Sequence, residues 1–207
     1  MQNKKISERV ITRLPKYYRY LQDLCENGIK TISSSEISKA LHITASQVRQ
    51  DLSQFGEFGR QGLGYDTEYL KDKMKNILGL NKRHTAIIIG GGRIGQALAN
   101  YKGFKLDLVD IKAIFDIELT HIKDVEDIEV LHIDSLDNYV KANKIDIAII
   151  SVQKENAKAI AQKCVNLNIK TIWNFAPIDL YFGEDVALEN INMSESLIRL
   201  IYKSKQV

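Results

Sequence analysis

Six consecutive residues, Gly90-Gly91-Gly92-Arg93-Ile94-Gly95, carry the spacing G-x-G-x-x-G, and Asp116 stands 21 residues after the last glycine. That spacing suits a bound dinucleotide. Gly90 permits a tight turn, Gly92 lets the backbone reach a pyrophosphate, and Gly95 lets a helix pack closely on a strand. The pyrophosphate would rest on the helix N-terminus, where unpaired N–H groups and the positive end of the dipole favour an anion. Asp116 could accept hydrogen bonds from the adenosine ribose hydroxyls. Ile117 and Glu118 follow with no arginine to receive a 2′-phosphate, which favours NAD(H) over NADP(H).

A second constellation lies upstream. Ser46, Gln47, Arg49 and Gln50 are residue types that read base edges or grip phosphate. Residues 55–65 follow, with Gly56, Gly59, Gly62 and Gly64 around Arg60 and Gln61. That glycine-rich stretch suits a tight basic hairpin whose backbone can approach another surface. By contrast, no Ser-His-Asp set or metal-ligand spacing is present, so no catalytic or metal-binding residue is expected. His121 and His132 sit in charged surroundings and read as surface or packing residues. Cys25 and Cys164 form no CxxC pattern and no disulfide framework, which points to a reducing cytoplasm.

These groups need elements to hold them. Residues 85–89 form a β-branched run fit for a buried parallel strand, and 96–101 continue as a helix, so the glycine motif has the strand–turn–helix context it requires. Further strands are expected at 111–115, 145–150 and 169–175, with a helix over 155–166. Ser151, Val152 and Phe175 would then lie at the carboxyl edge of the sheet, where ligands bind. Upstream, the pattern predicts a helix over 15–28, with Pro15 in its first turn and Asn27-Gly28 at its end. Ser33 and Glu36 form a capping box for a short helix with Ile37, Ala40 and Leu41 inward. Thr44 then caps a third helix with Val48, Leu52 and Phe55 inward. Two short helices so joined make a helix-turn-helix, and the basic hairpin makes its wing.

Composition separates the halves. The 207 residues carry a net charge of +3, a hydrophobic share of 44% and a charged share of 27%, as a globular protein does. Residues 1–83 hold 15 Lys/Arg against 9 Asp/Glu, while 84–207 hold 14 against 17. The basic half is the one that would meet a polyanion. No run approaches the ~18 apolar residues of a membrane span, and the polar N-terminus is unlike a signal peptide. On the residues alone, other readings stay open. The upstream half could be a structural or docking module, and the turn could serve another nucleotide or none. A small NAD-dependent oxidoreductase with an N-terminal docking domain is the rival, although only about 30 residues follow the sheet to supply a substrate domain.

The order of motifs resembles the redox-sensing transcriptional repressor family Rex. It is carried by Arg13-Leu14-Pro15-Lys16-Tyr17-Tyr18-Arg19-Tyr20-Leu21, Val48-Arg49-x-Asp51, the wing at 55–65, the GGGRIG turn, Phe115-Asp116 and Asn174-Phe175-Ala176-Pro177. The resemblance implies an α/β chain in three parts. These are a winged helix-turn-helix domain (1–80), a Rossmann domain with a doubly wound parallel sheet (84–190), and a C-terminal dimerisation helix (191–207) exchanged between subunits. It implies a homodimer on palindromic operator DNA, released when NADH binds, and no enzymatic activity. Thr44, Ser46, Gln47, Arg49, Gln50, Gly59, Arg60, Gln61 and Gly62 would meet DNA. Gln50 and Gln61 stand where the family commonly has basic residues, so an altered operator preference or weaker salt dependence is expected. Arg93 replaces a frequent asparagine. Arg13 and Tyr101 match a redox-dependent polar network whose acidic C-terminal partner is here Asn192.

Overall fold

The computed structural model describes residues 6–60, 63–106, 108–123, 125 and 127–206. The chain divides into two compact units, Met1–Lys82 and Arg83–Val207.

The first unit begins with α1 (Glu8–Ile11) and α2 (Leu14–Glu26). Pro15 sits in the first turn of α2, where its missing N–H leaves no hydrogen bond unmade, and the chain leaves the helix through Asn27 and Gly28, the latter at φ +73°. After β1 (Thr31–Ile32), the expected capping box starts α3 (Ser34–Leu41): the Ser33 hydroxyl accepts the Glu36 N–H, and the Glu36 carboxylate accepts the Ser33 N–H at 2.8 Å. His42 turns the chain at φ +54° into α4 (Ala45–Ser53), capped by the Thr44 hydroxyl on the Gln47 N–H. Next come β2 (Gly59–Arg60), β3 (Gly64–Asp66) and α5 (Thr67–Ile77). The three strands pair antiparallel in the order β1-β3-β2. Tyr17, Leu21, Ile37, Val48, Leu52, Leu70 and Met74 form the core. Helices α3 and α4 with the β2–β3 wing make a winged helix-turn-helix. Ala40, expected inward, is exposed, and Phe55 packs on the core from beyond the end of α4.

The second unit runs β4 (His84–Ile89), α6 (Arg93–Ala99), α7 (Gly103–Leu106), β5 (Val109–Asp116), β6 (Glu129–His132) and α8 (Leu136–Ala142). It continues with β7 (Ile147–Ile150), α9 (Lys154–Asn166), β8 (Thr171–Asn174), β9 (Ala187–Asn190) and α10 (Met193–Ser204). Strands β7 and β8 are shorter than the runs expected at 145–150 and 169–175, whose remaining residues lie in the flanking segments. All six strands are parallel, in the order β6-β5-β4-β7-β8-β9. The order reverses beside β4, and such a switch point opens a crevice at the carboxyl ends of the strands. Alternate residues of the central strands face opposite ways. Ile87 and Ile89 pack with Leu136 of α8 and Cys164 of α9, while Ala86 and Ile88 pack with Leu98 and Ala99 of α6. Among the described residues, no helix is long and apolar enough to cross a membrane.

Candidate functional site: a dinucleotide cleft and a nucleic-acid surface

The cleft lies where β4, β5 and β7 end, and the backbone closes it. Gly90 donates its N–H to the Phe115 carbonyl at 2.8 Å, and Ser151 donates its own to Ile89 at 2.8 Å. Gly90 adopts φ +105°, and a Cβ there would fall 2.6 Å from the Ser151 backbone, so only glycine fits. Any side chain at Gly95 would overlap the Gly90 carbonyl oxygen, so α6 seats directly on the turn. Gly92 differs: a Cβ there meets nothing within 4 Å. That open space in front of the turn, at the N-cap of α6, is what a close approach by pyrophosphate needs.

The acid sits where the spacing placed it. Asp116, at the end of β5, accepts the Gly91 N–H through one oxygen and the Glu118 N–H through the other at 3.1 Å. These bonds fix the orientation of a carboxylate that lines the cleft. The cleft encloses about 620 Å³, lined by Gly90, Gly92, Asp116, Ile117, Ser151 and Val152 among others. That volume lies within the usual range for small-molecule sites, roughly 300–1,000 Å³. Gly91 is buried behind the turn, and Arg93 and Ile94 are exposed on the first turn of α6. Phe175 follows the last residue of β8 at the same edge, as expected, and packs against Trp173 with ring centroids 4.7 Å apart; it is not among the residues that line the cleft. The Ser151 hydroxyl donates to the Gly90 carbonyl at 2.8 Å, so it braces the turn.

Two further residues were not singled out by pattern. Gln96 donates to the Gly91 carbonyl at 2.6 Å and accepts the Lys123 N–H at 3.3 Å, tying the turn to the loop after β5. His121, read from sequence as a surface or packing residue, is exposed but lines the cleft beside Glu118. Gln96 is a polar residue inside a helix and His121 a loop residue with no periodic pattern, so neither carries a signal that sequence reasoning could use.

In the first unit, Thr44, Ser46, Arg49 and Gln50 are exposed and Gln47 is half-buried. Arg49 reaches back to donate to the Ser34 hydroxyl at 3.0 Å, beside a hollow that the wing also lines. Gly59 pairs with Tyr65, whose ring would lie 2.9 Å from an added Cβ, and Gly64 turns at φ +77°. Glycines therefore set how closely the wing strands pack. Arg60 pairs across the wing with Gly64; Gln61 and Gly62 lie outside the described residues.

Arg13 has a partner the sequence did not reveal. Its Nε and Nη2 donate to the two carboxylate oxygens of Asp51 at 2.6 and 2.8 Å, and the Tyr17 hydroxyl donates to the same carboxylate at 2.7 Å. The hydrogen bond to Asp51 holds the Arg13 pKa above its usual value. Burial, then the bond to Asp51, pushes the Tyr17 hydroxyl well above the tyrosine range. Asn192 caps α10 by accepting the Glu195 N–H at 3.2 Å, and Tyr101 is exposed with its ring against Phe104. Among the described residues, no cluster of three or more His, Cys, Asp or Glu is placed to hold a metal ion.

A winged helix joined in one chain to a Rossmann unit defines a class: transcriptional regulators that couple DNA reading to a nucleotide signal. Comparison with known proteins narrows the class. Residues 5–53 match the family model "Putative DNA-binding protein N-terminus", and residues 81–178 match "CoA binding domain". The redox-sensing transcriptional repressor Rex of Thermoanaerobacter pseudethanolicus is 47% identical over 200 residues, spanning 96% of this chain and 89% of the relative. That of Clostridium botulinum (strain Hall) is 50% identical over 198 residues, covering 95% and 94%. A crystal structure of RSP in complex with β-NAD+ and operator DNA superposes with a TM-score of 0.92 at 45% identity, covering 99% of this chain and 94% of that one. RSP with β-NADH gives 0.88 at 43% identity, over 99% and 96%. The chain belongs to the Rex family of redox-sensing transcriptional repressors.

Proposed function

We propose that the chain represses transcription in the cytoplasm by binding palindromic operator DNA as a homodimer and lets go when NADH occupies the Rossmann cleft. The observation that carries this reading is the glycine turn braced by Asp116, in the same chain as a winged helix. In this reading residues 1–80 bind DNA, 84–190 hold the dinucleotide and 191–207 join the subunits. Gly90, Gly92 and Gly95 shape the pyrophosphate seat, Asp116 takes the ribose, and Ile117, Ser151 and Val152 wall the cleft. Glu118 stands where a 2′-phosphate would be repelled, which favours NAD(H). Ser46, Gln47, Arg49 and Gln50 enter the major groove, Thr44 lies beside them at the start of α4, and Arg60 of the wing contacts the backbone or the minor groove.

The dimer has physical support. Met193, Leu197, Ile198, Leu200, Ile201 and Tyr202 of α10 are each between 52% and 64% exposed, an apolar stripe that a lone subunit would leave in water. On the α6 face of the sheet, Ile147, Trp173 and Phe175 stay only partly buried. A second subunit would cover such surfaces, and exchange of α10 is the form the family resemblance implies.

The test is a mobility-shift assay with palindromic duplexes selected from a random library by the protein itself, run without ligand and with NAD+, NADH or coenzyme A. NADH should release the duplex at concentrations where NAD+ and coenzyme A do not. Release by coenzyme A instead would reassign the cleft, and absence of duplex binding would end the repressor reading.

A further inference from the structure

The Arg13–Tyr17–Asp51 cluster does something that neither the dinucleotide cleft nor the DNA-facing side chains explain. Asp51 lies on α4, the helix that carries Ser46, Gln47, Arg49 and Gln50, yet it faces inward and is only 2% exposed. Its carboxylate is met by a two-pronged guanidinium from the N-cap of α2 and by a hydroxyl from the first full turn of α2, 38 and 34 residues away in the chain. A bidentate arginine–carboxylate pair fixes angle as well as distance, because both N–H···O bonds must stay aligned at once. Apolar contacts at Val48 and Leu52 hold α4 against the core, and apolar attraction is not directional. The ion pair adds a directional restraint at the residue next to Gln50 and two beyond Arg49.

We infer that Arg13 and Tyr17 are positioning residues for DNA reading: by clamping Asp51 they set the roll of α4 and so the aim of its exposed side chains. The inference rests on the proposed operator binding. It assigns the pair no contact with DNA and none with the dinucleotide. Among the described residues, those that line the dinucleotide cleft belong to the second unit.

The experiment compares wild type with Arg13→Lys, Arg13→Gln, Tyr17→Phe and Asp51→Asn. Affinity is measured for a duplex selected by the wild-type protein, at several salt concentrations, alongside NADH affinity without DNA and thermal melting. Tyr17→Phe keeps the ring in the core and Arg13→Lys keeps the charge, so these two remain informative if Asp51→Asn does not fold. Arg13→Lys should lose roughly tenfold in duplex affinity, the factor that ~1.4 kcal/mol carries, although its charge is intact. Tyr17→Phe should lose less, and all variants that fold should keep the wild-type salt slope and NADH affinity. Duplex affinity equal to wild type in folded Arg13→Lys and Tyr17→Phe would overturn the inference and leave the cluster a stabilising feature only. A salt slope reduced by about one in Arg13→Gln would make Arg13 a phosphate contact instead. Altered NADH affinity would tie the cluster to the cleft and likewise overturn it. A wild-type protein that selects no duplex would overturn the operator reading itself, and the inference with it.

Discussion

Gly92→Ala and Gly95→Ala add the same methyl group three residues apart, and the geometry of the turn makes their outcomes differ. At Gly95 the methyl would overlap the Gly90 carbonyl oxygen and lie 3.0 Å from the Ser151 hydroxyl. Neither can yield easily. Gly90 is held by its N–H on Phe115 and by the Ser151 hydroxyl on its carbonyl, both at 2.8 Å. Helix α6 must therefore lift from the turn, an overpacking cost of ~1–3 kcal/mol. Each kcal/mol lowers the melting temperature of a chain this size by roughly 2–4 °C. At Gly92 the methyl points into open space and φ is −66°, which alanine adopts freely. Stiffening of the unfolded chain, worth ~0.4–1 kcal/mol, is opposed by alanine being the poorer N-cap, so melting should shift by less than about 2 °C. Dinucleotide affinity should nevertheless fall at least about tenfold in both, through the lost turn at Gly95 and the filled pyrophosphate seat at Gly92. Melting followed by circular dichroism, with NADH fluorescence titrations, measures both quantities. Wild-type NADH affinity in Gly92→Ala would remove the pyrophosphate from this turn, and equal destabilisation by the two would refute the packing argument.

Asp116→Ala should weaken NADH binding without harming duplex binding by the ligand-free protein; unchanged NADH affinity in a calorimetric titration would dismiss the ribose assignment. Arg60→Ala should weaken duplex binding across sequences and lower the salt slope by about one, checked by filter binding over a salt series. Burial pushes the Cys164 thiol up to about 12 from an ordinary value of 9.0, so the native state keeps a proton that the unfolded chain has lost. Stability should then fall as pH rises from about 9 to about 12, and Cys164→Ala should show a shallower decline in denaturant titrations across that window. Leu197→Glu with Leu200→Glu should convert a dimer to monomers in analytical ultracentrifugation; an unchanged sedimentation coefficient would show that α10 is not the interface.

How far the sequence revealed the structure depended on what each feature is made of. The dinucleotide cleft is built by backbone, and backbone demands glycine, so Gly90, Gly92 and Gly95 announce it at a fixed spacing. Asp116 follows because one crossover helix and one strand have a nearly constant length. The caps at Ser33 and Thr44 were legible for a similar reason: they act on amides three residues away. What stayed hidden acts at long range or lacks a period. Strands β6 and β9 flank the sheet as edges, and Glu129-Val130-Leu131-His132 and Ala187-Leu188-Glu189-Asn190 are too polar and short to stand out. Helix α5 buries Leu70 and Met74 between Lys71, Asp72, Lys73 and Lys75, a stripe too narrow to read beside the wing. Nothing local says that Arg13 belongs to Asp51, because a carboxylate on a polar-looking helix reads as solvent-exposed until the fold turns it inward.

The two unusual surfaces of this chain answer one another within the proposed reading. Residues 1–83 carry an excess of only six positive charges, and some of those charges are spent within the protein, as Arg13 is on Asp51. Phosphate neutralisation supplies a large share of the affinity of a DNA-binding domain, so one such unit would hold an operator weakly at physiological salt. Joining two units makes the second contact intramolecular, raising affinity without adding any charge to either. In the proposed reading the exposed stripe of α10 joins them, and burying it is favourable whether or not DNA is present. Affinity is thus placed in the dimer, not in the single domain, and this is what makes control by a small ligand feasible. NADH need not compete with any phosphate contact; it has only to favour a dimer whose two reading helices no longer match both half-sites. A differential of ~1–3 kcal/mol between the two arrangements is ordinary for such coupling, and by linkage the operator must weaken NADH binding by the same factor.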